Sequence, residues 1–354
     1  MKELSQTLLD FVKDRGTCEA GIATVETLAG GPPSVDLSYL LPQAKSAVVF
    51  AIPLDQSLIP PYLMKKDRSS HAQNYLDSNV IADGIAMQLA SYLKQKGYQS
   101  VPVDTNGVYR GGVPEPTAEL CPDISHRYLA VRAGVGYFGL SGNVLTKNHG
   151  PAVALGSVVT TAELQPTEPL PKEENYCDEC RLCMASCLSG LMDHEQKTTV
   201  TMGGVDFSYS KRRAHCVCTF VCGGFTGLHP SGKWSTWSPG RFEVPKNNKE
   251  FIPALVHAMG AWQQWPAPGK GFHIPLLEKK VWLTCGNCAL VCHPDKEERK
   301  KRYKMLTENG VVIQYQDGSL KAVSPEAPND HLSSMAPEVR ALYEGVVPSD
   351  EDGQ

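Results

Sequence analysis

The chain has no apolar run long enough to cross a bilayer. Its longest, Ala47 to Leu54, falls far short of the roughly twenty residues a membrane helix needs. Basic charge is not in excess either. Lys and Arg number 34 against 38 Asp and Glu, and the net charge of −4 removes any general attraction to nucleic acid or an anionic membrane. The opening residues, Met-Lys-Glu-Leu-Ser-Gln, lack the apolar core of an export signal, and Arg212-Arg213 is internal, so a cytoplasmic location is expected. What remains is ordinary: 42% hydrophobic and 20% charged residues over 354 positions, enough for one large domain or two.

Cysteine is the exception, with 12 residues, seven of them in two arrays that one further cysteine would complete to eight. The first array is Cys177, Cys180, Cys183 and Cys187. The second is Cys285, Cys288 and Cys292, with Cys216, Cys218 or Cys222 available to complete a set of four. In a reducing compartment such C-x-x-C spacings read as metal ligands, not disulfides. Four thiolates so close together crowd a single tetrahedral zinc, but they suit the run of a two-cluster ferredoxin, whose fourth cysteine serves the other cluster. That logic gives Cys177, Cys180, Cys183 and Cys292 to one [4Fe–4S] cluster. Cys187, Cys285 and Cys288 go to the second, with Cys222 preferred as its fourth ligand because Gly223 and Gly224 can offer N–H groups to sulfur. A single zinc ribbon would leave Cys183, Cys187 and Cys292 without a task.

Mixed helices and strands through about residue 165 predict an α/β or α+β domain. Leu4, Leu8, Leu9 and Val12 mark a first helix. Ala47–Pro53 reads as a buried central strand. Ile81, Ile85, Leu89 and Leu93 give a long helix over 72–96, stopped at Gly97. Strands are expected over 99–104 and 152–160, with a helix over 125–133. Pro166 to Pro171 is a linker, and 223–240 is irregular. Lys296–Lys304 reads as a solvated helix face, and 311–323 as a hairpin turning at Asp317-Gly318. The tail 349–354 reads as disordered. The expected domains are 1–170, then 171–300 with both arrays and a long insertion (223–280), then 301–354.

Gly134-Val-Gly136-Tyr-Phe-Gly139 matches G-x-G-x-x-G but is no dinucleotide fingerprint. It follows a helix instead of a strand, and no acidic residue ends a strand some twenty positions later. A loop of this kind can instead let backbone approach a large flat cofactor.

Asp123-Ile-Ser-His-Arg-Tyr128, the Gly134–Gly139 loop, Gly156-Ser157 and the two cysteine arrays, in that order over roughly 40–300, resemble the epoxyqueuosine reductases and the related reductive dehalogenases. The resemblance implies a nitroreductase-like domain holding base-off cobalamin, followed by a ferredoxin-like domain with two [4Fe–4S] clusters. It also implies a low-potential donor such as ferredoxin or flavodoxin. His126, Arg127, Gly134, Gly136, Tyr137, Phe138, Gly139, Gly142, Gly156 and Ser157 would line the corrin. The chain has no D-x-H-x-x-G box; His229-Pro-Ser-Gly232 keeps half of it and reads as an ordinary loop. A proton donor belongs near Cys121 or Asp123, although Asp123 could equally cap the following helix. Tyr109 and Arg110 are candidates for an anionic substrate, and Trp234 and Trp237 for covering the corrin or shaping a pocket. The acidic charge and the long insertion favour a small or medium organic substrate over tRNA. A non-catalytic electron carrier, or a reductive activator of a corrinoid partner, is the alternative.

Overall fold

The computed structural model describes residues 2–104, 109–111, 121–213, 215–246, 248–266 and 284–345. Ten strands occur among them. In chain order they are β1 (Glu19–Thr24), β2 (Ser46–Pro53), β3 (Ser100–Val103), β4 (Tyr137–Phe138), β5 (Val144–Leu145), β6 (Val153–Thr160), β7 (Met192–Met202), β8 (Val205–Arg212), β9 (Val311–Gln314) and β10 (Leu320–Val323).

The main sheet has the order β1-β2-β6-β3, with every pair antiparallel. It is thus α+β in character and not a parallel α/β sheet. The run Ala47–Ile52 is apolar without alternation because both faces of β2 are covered. Val48, Phe50 and Ile52 meet the helices Lys2–Lys13 and Ser69–Gln95. Ala47, Val49 and Ala51 meet the helix His126–Arg132.

Several expectations change in detail. Ile81 is 48% exposed, whereas Ile85, Leu89 and Leu93 are buried with Ala82, Ala86 and Ala90. A spacing of four drifts about 40° per step on a helix of 3.6 residues per turn, so a long i+4 series leaves the core face. Gly97 does close this helix, at φ +88°. Lys296–Thr307 is a helix, yet Arg299 and Arg302 are buried in it, so it is not simply a solvated face.

The hairpin β7–β8 was not expected from the sequence. Its two-residue loop Gly203-Gly204 has both φ positive, as a twisted hairpin turn requires. Met202 and Tyr209 pack into the core beneath the sheet, with Val200 and Phe207 against it. Leu54, Ile59, Tyr62 and Leu63 share another core with Leu290, Val291, Leu306 and Val312. The thiol-bearing half is therefore fused to the sheet half through two apolar seams. The hairpin β9–β10 forms as expected, and the tail 349–354 lies outside the described residues.

Candidate active site

The first thiol set lies on a loop bent by its own backbone. Glu179 and Arg181 adopt φ +54° and +61°, two of three such non-glycine residues among those described. That conformation costs roughly 1–2 kcal/mol each and is sustained only where the surroundings demand it. Here it turns Cys177, Cys180 and Cys183 together, and Cys292 joins them from the distal array, since its thiol senses the charges of Cys183, Cys177 and Cys180. Burial, then those neighbouring sulfurs, pushes Cys183 up to about 12, and Cys292 is raised to about 12 in the same way. Only a strongly positive centre would hold such thiols as thiolates.

Donors converge on this set. The Leu140 N–H points at Cys177 Sγ at 3.3 Å. Arg299 Nη1 lies 3.6 Å from Cys180 Sγ and 2.7 Å from Asp178 Oδ1. Arg299 is missed by a pattern that counts it among interleaved surface charges; only its side of the helix distinguishes it.

The second set is deeper. Cys288 senses Cys187, Cys218 and Cys285, and Cys187 senses Cys218 and Cys285. Cys218 and Cys222 stand one turn apart on the helix His215–Cys222, with their sulfurs 3.8 Å apart. Cys222 also meets Cys285. The Cys222 contact is the main cause that pulls Cys285 down to about 7, while Cys222 itself is held well above the usual thiol range. The Cys216 side chain lies outside the described residues. Gly223 and Gly224 do not serve sulfur as expected: their N–H groups bond Thr219 O and Val221 O and close the helix. Asn143 Nδ2 approaches Cys288 Sγ at 3.7 Å, and Tyr62 Oη donates to Cys285 O at 2.8 Å. Among the described residues, no three of Cys, His, Asp or Glu converge on one metal ion. A zinc ribbon would need its sulfurs about 2.3 Å from a single point.

A cavity of about 880 Å³ opens beside the second set. That is near the upper end for small-molecule sites, as a large ligand requires. Cys222, Gly286, Ala289 and Leu290 form one wall, and Val101–Val103 with Val153–Leu155 another. Tyr109, Cys121, Asp123, His126, Arg127, Tyr128, Asn143 and Arg212 also line it. His126 is fixed at both nitrogens, Nδ1 at 2.7 Å from Ser157 Oγ and Nε2 at 2.9 Å from Asp104 O. Arg127 donates to Gly142 O, and Arg212 to Ser141 O and Asn143 Oδ1. Among the described residues neither guanidinium forms a salt bridge, and burial, then the Arg212 charge, pulls Arg127 down to about 10. Two cations without an anion leave this corner suited to phosphate or carboxylate. A more open depression of about 940 Å³, beside Lys65 and the hairpin β9–β10, holds no thiol.

Asp123 does not cap the helix. Ser125 is its N-cap and accepts from the Tyr128 N–H, which frees Asp123 to face the cavity. Burial raises the Asp123 carboxyl above its ordinary range, partly offset by Arg110.

The glycines of the glycine-rich loop, by contrast, do not line the cavity, although Asn143 and Val144 at its end do. A Cβ on Gly134 would meet Glu168 O at 2.3 Å, and one on Gly136 would meet Leu145 O at 2.7 Å. Gly139 abuts the Leu145 side chain, and Gly142 abuts Tyr209 and Arg212. Tyr137 and Phe138 form the short strand β4 paired with β5 and are buried. Gly156 makes room for the Phe50 ring, and Ser157 reaches the cavity only through His126. These residues pack protein against protein. The loop's outputs are instead the Leu140 and Asn143 donors, one to each thiol set.

Trp234 and Trp237 lie in the core and do not line the cavity of about 880 Å³; Trp237 borders the more open depression, and its Nε1 donates to Tyr62 O. His229 stacks on Trp234 as part of its loop. Arg110 lies over the Tyr39 ring, away from the cavity lining that its neighbour Tyr109 joins.

No family model matches the chain. A tetrachloroethene reductive dehalogenase of Desulfitobacterium hafniense is 26% identical over 157 residues, which is 44% of this chain and 25% of that protein. An epoxyqueuosine reductase of Bacillus cereus is 26% identical over 163 residues, 43% of this chain and 37% of that one. Another, from Atelocyanobacterium thalassa, is 38% identical over 71 residues, 20% and 22% of the two chains. Over these segments the chain is similar to epoxyqueuosine reductases and reductive dehalogenases. Both kinds of relative are oxidoreductases, and the matches span less than two fifths of their length. Among solved structures, an epoxyqueuosine reductase with a modified tRNA stem loop aligns over 97% of this chain and 76% of that one, at TM-score 0.45 and 16% identity. A catabolic reductive dehalogenase in complex with 3-bromo-4-hydroxybenzoic acid aligns over 97% and 38%, at TM-score 0.49 and 13% identity. At these scores neither structural likeness adds weight. No helix among the described residues is long and apolar enough to cross a membrane.

Proposed function

We propose that this chain is a cytoplasmic, cobalamin-dependent iron–sulfur reductase of a small or medium organic substrate. The observation that carries the reading is the shared wall: Cys222, Gly286, Ala289 and Leu290 separate a buried thiol set from a cavity sized for a large ligand. In this reading residues 1–170 supply most of the cavity, 171–300 the two clusters, and 301–354 a buttressing hairpin. Cys177, Cys180, Cys183 and Cys292 hold one [4Fe–4S] cluster. Cys187, Cys285, Cys288 and Cys218 hold the other, because Cys187 and Cys288 both sense Cys218. Cys222 is left as a protonated thiol at the cavity wall.

The cavity residues fit a base-off corrinoid, with apolar strand and helix segments and polar groups contributed by several elements around it. When bound, that cofactor supplies a low-valent metal centre that accepts single electrons and reduces an electrophilic carbon. The protein's own residues do the rest. Leu140, Asn143 and Arg299 place donors on cluster sulfurs, which raises their potential. Arg127 and Arg212 hold an anionic group of the cofactor or substrate. Asp123, its carboxyl raised by burial, keeps a proton nearer neutral pH and delivers it to the reduced substrate, with Cys121 and Tyr109 beside it. Electrons come from a ferredoxin or flavodoxin. The net charge of −4 argues against tRNA as substrate.

Anaerobic purification from cobalamin-fed cells, with iron, sulfide and cobalt quantified, tests the reading. About eight irons and one base-off cobalamin per chain support it. Eight irons without cobalt, even after added cobalamin, would leave an electron carrier or activator.

A further inference from the structure

The helix Ser69–Gln95 uses one side to cover the sheet and another to face the cavity. His71, Tyr75 and Asn79, at successive spacings of four, all line the cavity. His71 differs from the other two. Its side chain is fully buried, and neither Nδ1 nor Nε2 has a hydrogen-bond partner. Its ring lies 4.6 Å from that of Tyr62, whose hydroxyl is committed to Cys285 O.

A buried imidazole with both nitrogens unpaired carries a desolvation penalty that Leu or Phe would not. Packing alone therefore gives no reason for histidine here, since stacking on Tyr62 would serve equally with an apolar ring. His71 lines a cavity with room for a large ligand, and a ligand atom that reaches either nitrogen would complete it. We propose that His71 is the hydrogen-bonding contact through which this wall holds the cavity's ligand, the corrinoid of the reading above, on which this inference rests. His126, which also lines the cavity, cannot take this part because Ser157 and Asp104 occupy both of its nitrogens.

The test titrates cob(II)alamin into the anaerobic iron–sulfur-loaded protein, wild type, His71→Leu and His71→Gln, by absorbance. The melting temperature of each corrinoid-free protein is measured alongside. The Leu variant should raise Kd about tenfold or more while melting no lower than wild type, and Gln, which keeps an amide donor, should recover part of the affinity. Unchanged Kd in the Leu variant overturns the inference alone. A wild type that binds no corrinoid brings down the functional reading and this inference together. Melting temperatures that fall in step with affinity would mark His71 as a packing residue and overturn it too. Nitrogen hyperfine splitting on the cob(II) resonance, lost in His71→Leu, would mean coordination and would likewise overturn the hydrogen-bond assignment.

Discussion

The two thiol sets are built from interlocking halves of the same cysteine arrays, yet their edges differ. Around the first set, Cys180 is exposed, and Asp178, Lys296 and Arg299 form a charged frame. The second is enclosed: Cys285 is buried, and the wall behind it belongs to the cavity. In the proposed reductase this asymmetry gives electron flow a direction. The exposed set is where a protein donor can dock, and the enclosed set faces the chemistry without admitting water.

The sharpest break in that comparison is Cys285→Ser. It should lower iron from about eight to about four per chain and abolish reduction of bound corrinoid by any reductant. Cys180→Ser should also lose about four irons, but corrinoid binding should persist, and a small reductant that reaches the second set should still reduce it. Equal behaviour of the two variants, in iron assays and optical titrations, would erase the assigned direction.

A smaller effect separates Asp123 from Ser125. Asp123→Asn should cut turnover by about 10²–10⁴-fold with melting unchanged, if the carboxyl donates the proton. Ser125→Ala should cost about 1 kcal/mol of stability, read by denaturant unfolding, and leave turnover alone.

Next comes the pH dependence of the cavity wall. Burial pulls His71 down to about 4, below its unfolded value near 6.5, so the unfolded chain binds this proton first. Stability of the corrinoid-free protein should be full above pH 6.5 and fall as pH drops toward 4, by roughly 2–3 kcal/mol. His71→Leu should flatten that part of the unfolding profile. A comparably modest effect is expected at the exposed set. Arg299→Ala removes the buried partner of a part-exposed Asp178 and should cost about 1–2 kcal/mol in denaturant unfolding, with iron content retained.

Legibility in the sequence followed the range of the interaction. Helix Lys2–Lys13, strand β2 and hairpin β9–β10 announce themselves because periodicity and turn chemistry are local. Hairpin β7–β8 carries an equally local signal, Gly203-Gly204 between alternating Val200, Met202, Val205 and Phe207. The glycine loop was misdirected for a different reason. A glycine shows that something approaches closely, but not whether it is a cofactor or the chain's own Glu168 and Leu145 carbonyls.

By itself the sequence determined that most of the thiols come in two closely spaced arrays, that a buried strand carries the sheet, and that no run is long and apolar enough for a membrane helix. Spacing and composition suffice for these. Only the tertiary structure decided that Cys218 and Cys222 both reach the second set, that Ser125 and not Asp123 caps the helix, and that Arg299 turns inward. It alone set His71 unpaired against the cavity. Each of these depends on which side of an element faces a neighbour far away in the chain, and a side chain's partner across space leaves no mark in its own local pattern.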